Sequence, residues 1–154
     1  MKRIRTILTT LMVAAPLLIG GSTANASAGW TSYDTDVVVP GCPGFDVRIQ
    51  AEGRNKIEFG EVITIKSART HTIYTNVVTG NSVRLSGNAN LSATLNGDGT
   101  ITVNAKGSID IGGPAIGLVS VHGQVKYVVN EAAGWTESYE LLNGRTTDIC
   151  TLID

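Results

Sequence analysis

Few side chains in this sequence are able to do chemistry. Cys42 and Cys150 are the only cysteines, and they lie 108 positions apart. A redox centre would want its two thiols in a C-x-x-C spacing, and a catalytic thiol would leave the other cysteine without a role. In an oxidising compartment two such cysteines pair, and the expected disulfide joins the start of the domain to its end. His71 and His122 are the only histidines. A zinc site takes three or four clustered ligands, and neither H-x-x-x-H nor C-x-x-C is present. A serine hydrolase needs a base and an orienting acid beside its nucleophile, and no G-x-S-x-G elbow occurs. The expectation is therefore no catalytic residues, no metal and no cofactor.

Glu58, Glu61, Glu137 and Glu140 are carboxylates of the type that a glycosidase sets across a cleft, but their alternation with apolar residues reads as solvated strand faces. Asn96-Gly97-Asp98-Gly99 carries part of a calcium loop without its remaining acidic positions or closing Glu, and reads as a hairpin turn. The aromatics offer a different kind of site. Trp135 and Tyr139 share strand parity, with Glu137 between them, and are the candidate binding aromatics. Flat rings of this kind stack on sugars or anchor a protein interface. Trp30 and Tyr33 add two more rings near the start of the domain.

The elements that must position these residues begin after an export signal. Lys2, Arg3 and Arg5 precede an uncharged apolar run over 7–19. As a helix that run would span roughly 20 Å, short of a bilayer core. Ala24-Asn25-Ala26 and Ala26-Ser27-Ala28 follow, so cleavage is expected between Ala28 and Gly29, with Ala26 as the alternative site. The signal occupies 1–28, and the product is expected outside the cell or at its surface. No other stretch approaches a membrane-spanning length. Residues 29–154 carry 9 basic and 13 acidic side chains. That balance, without a basic stripe, argues against a nucleic-acid partner.

Those residues also hold 14 Val, 11 Ile and 14 Thr against 7 Leu. Branching at Cβ favours strands, and no apolar pattern of helical period is sustained. Residues 29–36 read as a flexible N-terminal arm and 37–154 as one all-β domain, a single antiparallel β-sandwich or barrel-like fold. Phe45, Val47, Ile49 and Ala51 alternate with Asp46, Arg48, Gln50 and Glu52 as a half-buried strand does. Turn chemistry at Gly53-Arg54-Asn55, Gly87-Asn88, Asn96-Gly97-Asp98-Gly99 and Asn143-Gly144 divides the chain into about nine to eleven short strands, the last over 148–153. Short connections leave little chain for a pocket wall or a lid.

Several marks then coincide in order. They are Gly41-Cys42-Pro43-Gly44-Phe45-Asp46-Val47, then Thr75-Asn76-Val77-Val78-Thr79-Gly80-Asn81-Ser82-Val83, then Asp98-Gly99-Thr100, and last Gly144-Arg145-Thr146-Thr147-Asp148-Ile149-Cys150-Thr151-Leu152-Ile153. In this the chain resembles an uncharacterised family of small secreted actinobacterial proteins with one cysteine near each end of the mature domain. The resemblance covers most of the chain from Cys42 onward. It implies secretion and a terminal disulfide, and it brings no catalytic residue. The expected function is non-enzymatic: surface-mediated binding of the cell envelope, a glycan or an extracellular protein. The alternatives are a small secreted hydrolase and an inhibitor of extracellular proteases.

Overall fold

The computed structural model describes residues 29–154, so the signal over 1–28, with Ala28 of the expected cleavage site, lies outside the described residues, Gly29 being the first of them. Seven strands and one short helix account for nearly all of them: β1 (Trp30–Cys42), β2 (Phe45–Glu58), β3 (Ile63–Asn76), β4 (Ser82–Leu95), β5 (Thr100–Gly113), β6 (Gly117–Asn130), β7 (Thr136–Asp148) and α1 (Ile149–Ile153). Each strand pairs antiparallel with the next, and one sheet results in the order β1-β2-β3-β4-β5-β6-β7. The all-β antiparallel expectation holds. The sheet is not closed into a barrel, since β1 and β7 are its two edges. No described helix is long and apolar enough to cross a membrane.

Three expectations are corrected. The strands number seven rather than nine to eleven, because each runs for 13 or 14 residues through places that read as turns. Of residues 29–36, read as an arm, 30–36 form the first half of β1, paired with β2 from Trp30↔Lys56 to Asp36↔Gln50. Residues 149–153, read as a strand, are helix α1, with the Asp148 side chain capping it by accepting from the Thr151 N–H at 3.3 Å.

The misread turns share a place in the structure. Gly107 on β5 pairs with Gly123 on β6, and Gly123 pairs with Gly144 on β7. Their φ angles are 129°, 140° and 110°. A Cβ on any of the three would meet a carbonyl oxygen of the neighbouring strand at 2.0–2.2 Å. Only glycine fits there. The irregularity continues across the sheet through a register shift between Ser67 and Thr70 on β3, where Arg69 takes φ 55°, and another between Glu52 and Arg54 on β2. The line crosses strands near their midpoints, and the sheet bends along it.

Bending brings the two ends of the strands together. Gly113, at the far end of β5, lies so close to the Thr136 carbonyl that a Cβ there would sit 2.1 Å away, although Thr136 pairs with Val129 near the opposite end of β6. One sheet thus supplies both layers of a sandwich-like core. Ile65, Leu91, Val103, Ile109, Val121 and Val125 belong to the larger apolar cluster, built from β3 to β6. Val39, Val47, Ile49, Tyr74 and Leu118 pack with Ile149 and Ile153 of α1 in the second. The first half of β6 is buried on both faces, with Leu118 in one cluster and Val119 and Val121 in the other.

Candidate functional site

The sequence-derived candidates come first. Cys42 and Cys150 are bonded, with S–S 2.03 Å and Cα–Cα 5.5 Å. The bond joins the end of β1 to α1 beside the second apolar cluster. Trp135 and Tyr139 do not form the expected stripe along one strand. Trp135 precedes β7, and a register shift opposite Val128 and Val129 places one extra residue, Glu137, between Thr136 and Ser138, which breaks the alternation. Tyr139 stands opposite Tyr127 on the edge strand and is 36% exposed. The Glu137 carboxylate accepts from Asn130 at 2.9 Å. The Arg54 guanidinium stands 5.4 Å from the Trp30 ring centroid, a cation–π contact, and Trp30 stays 46% exposed.

Both histidines meet a serine. His71 Nδ1 lies 2.8 Å from Ser86 Oγ, and His122 Nδ1 lies 2.8 Å from Ser108 Oγ. Asp110, two residues along β5 from Ser108, is engaged elsewhere, because the Tyr74 hydroxyl donates to it at 2.8 Å. Burial pushes the Asp110 carboxyl above its usual range, against the pull of hydrogen bonds from Ser120 and Tyr74. Tyr74 is pushed up as well, by burial first and then by the charge of Asp110. A cavity of about 20 Å³ borders Asp110, Ser108 and the partnerless Thr72 hydroxyl. It is sized for a single water rather than a substrate. Among the described residues no three of His, Cys, Asp and Glu converge as a metal site would need.

The larger concavity lies on the other face of the sheet. A hollow of about 570 Å³ opens over the outer surface of β2 to β7. Its floor follows from strand parity. Where Ile65, Leu91, Ala105 and Val125 point into the core, their neighbours Lys66, Asn90, Lys106 and Gln124 point out. Register then sets these side chains in rows across the sheet. One row runs Lys56, Lys66, Asn90, Lys106, Gln124, Asn143, each directly opposite the next. The adjoining row runs Glu58, Thr64, Ser92, Asn104, Lys126, Glu140. Six strands at roughly 4.8 Å each make a row about 24 Å long.

Polar side chains alternate here with apolar surface, which makes up most of the hollow's lining and includes the exposed Leu142, and no aromatic ring lines it. Lys56 Nζ meets Glu58 Oε1 at 2.9 Å at its margin. The hydrogen bond and charge of Lys56 hold the Glu58 carboxyl below its usual range, and the charge of Lys66 adds to the effect. Sequence reading singled out none of the lysines or amides. The outward parity of Lys66, Asn90, Lys106 and Gln124 was readable strand by strand, but their alignment depends on register between strands, which a single sequence does not state.

Comparison with family models, with curated proteins and with solved structures finds no match for this chain.

Proposed function

We propose that this is a secreted, non-enzymatic protein that works through its surface and holds cell-envelope glycan on the outer face of its bent sheet. The observation that carries this reading is the open 570 Å³ hollow, whose lining is mostly apolar but carries the amide, hydroxyl and ammonium groups of Asn90, Asn104, Gln124, Ser92, Lys66 and Lys106 along its length. Such groups pair with the hydroxyls of a sugar chain, and a shallow, open site suits a polymer better than a small molecule enclosed for reaction. The terminal disulfide, the signal-like 1–28 segment and the family resemblance support an extracellular setting. The experiment is retention of the purified protein on isolated cell-wall material, alongside capture from extracellular protein. Retention on the wall, weakened by Asn90→Ala with Asn104→Ala, is the expected result. Retention by protein partners alone would overturn it.

The hydrolase reading has one observation in its favour, the two Ser–His pairs at 2.8 Å. Turnover of ester, amide or glycoside probes that disappears in His122→Ala would establish it. The expected result is no turnover in either protein.

A further inference from the structure

We infer that the outer-face hollow takes a linear acidic polysaccharide laid across the strands, with carboxylates on alternate sugars. This rests on the glycan-binding reading above and names its ligand class.

Charge is the first support. The two rows hold Lys56, Lys66, Lys106 and Lys126 against Glu58 and Glu140, a surplus of two positive charges. Residues 29–154 as a whole carry 9 basic and 13 acidic side chains, so these two rows are positive on a chain whose balance is negative. The lysines are directed outward; Lys66, Lys106 and Lys126 are all exposed. Ammonium groups at a shallow, positive site select for an anion.

Spacing is the second. Lys66 and Lys106 share a row with one strand, carrying Asn90, between them. Two strand steps put them roughly 10 Å apart. That distance is comparable to the repeat of two sugars in an extended chain, so two carboxylates one disaccharide apart meet Lys66 and Lys106. The sugars between meet Asn90, and beyond Lys106 the row continues into Gln124 and Asn143. Carboxamides offer both a donor and an acceptor, which sugar hydroxyls and N-acetyl groups use and a bare phosphate chain does not. The mixture of amide and ammonium therefore favours an acidic polysaccharide over polyphosphate. The Lys56–Glu58 ion pair closes one end of the rows, and Glu140 of the edge strand closes the other.

The test is equilibrium binding of the purified protein to four polymers: hyaluronan, with its carboxylate on alternate sugars; polygalacturonate, with one on every sugar; dextran, which is neutral; and inorganic polyphosphate. Hyaluronan is expected to bind best, and its affinity to fall as salt rises. Lys66→Gln with Lys106→Gln is expected to weaken it about tenfold, the sum of two modest surface contacts. Arg84→Gln with Arg145→Gln removes the same charge outside the hollow and is expected to leave binding unchanged. Unfolding midpoints of the variants show whether each remains folded. Tightest binding to polyphosphate, equal loss in both double variants, or binding to dextran alone overturns the inference. Retention on cell wall without hyaluronan binding overturns this ligand class while the wider reading stands, and failure on both surfaces removes both.

Discussion

Asp110 shows how far one side chain can work against the fold that holds it. Its carboxyl is largely withdrawn from solvent beside Tyr74 and Ser120, and burial raises its pKa above the ordinary 3.8. The folded protein therefore holds that proton more tightly than the unfolded chain does. Below about pH 3.8 both states are protonated and the contribution to stability is fully present; as pH rises through the raised folded value it is lost. Asp110→Asn keeps an acceptor for the Tyr74 hydroxyl and does not ionise. The variant's stability relative to the parent is expected to improve between about pH 3.5 and about pH 7. Urea unfolding of both proteins across that range checks this, and a constant difference would contradict it. Asn76 is the opposite case, a buried polar group fully used. It donates to the Ile153 carbonyl at 3.1 Å and accepts from the Val78 and Thr79 N–H groups at 2.9 and 3.2 Å. Asn76→Ala removes all three bonds and is expected to cost on the order of 3 kcal/mol in equilibrium unfolding.

At the scale of elements, the glycine line decides the architecture. Gly123→Ala would put a Cβ 2.1 Å from the Asn143 carbonyl at a backbone φ of 140°. The expected cost is about 2 kcal/mol or more, because the strands must part or the bend must open. Gly99→Ala, in a hairpin turn with φ 84° and nothing near its Cβ, carries only the backbone strain, about 1 kcal/mol. Thermal unfolding of the two variants compares them, and equal losses would count against the bend as a packed corner. The same glycines explain which parts of the fold were legible. Alternation at Phe45, Val47, Ile49 and Ala51 assigned a strand and its buried face correctly, because period 2 is written in side-chain type. Gly53, Gly87 and Gly144 signal a loss of regular backbone equally well in a turn and in a bent strand, so three bends were read as ends. Local sequence marks where a strand is irregular, and only the pairing on either side tells whether the chain reverses. The candidate site suffered for the same reason. Trp135 and Tyr139 were placed on one face by counting residues, and a single extra residue opposite Val128 and Val129 undid the count.

At the scale of the molecule, the core has two parts held differently. The larger cluster is internal to β3–β6, whereas the second gathers β1, β2, β3, the start of β6 and α1, and α1 is secured by the Cys42–Cys150 bond. Cys150→Ser is expected to lower stability by on the order of 2–5 kcal/mol. Hydrogen exchange should then rise first in α1, β1 and the first half of β6, with the Ile101–Val129 pairing of β5 and β6 still protected. Uniform loss of protection would mean that the two clusters open as one unit.

The meander also fixes an order of events as the chain is made. Every strand partner is the next strand in sequence, so each hairpin can close as soon as its second arm arrives. The disulfide alone must wait for the last residues. Cys42 emerges 108 residues ahead of Cys150, a delay of roughly 5–20 s at ordinary rates of synthesis. Until Cys150 follows, Cys42 at the end of β1 has no partner within the chain, and any disulfide it forms joins it to another molecule. With only two cysteines the chain has no wrong internal pairing to undo, so its oxidative errors are all intermolecular, and their frequency rises with the crowding of nascent chains.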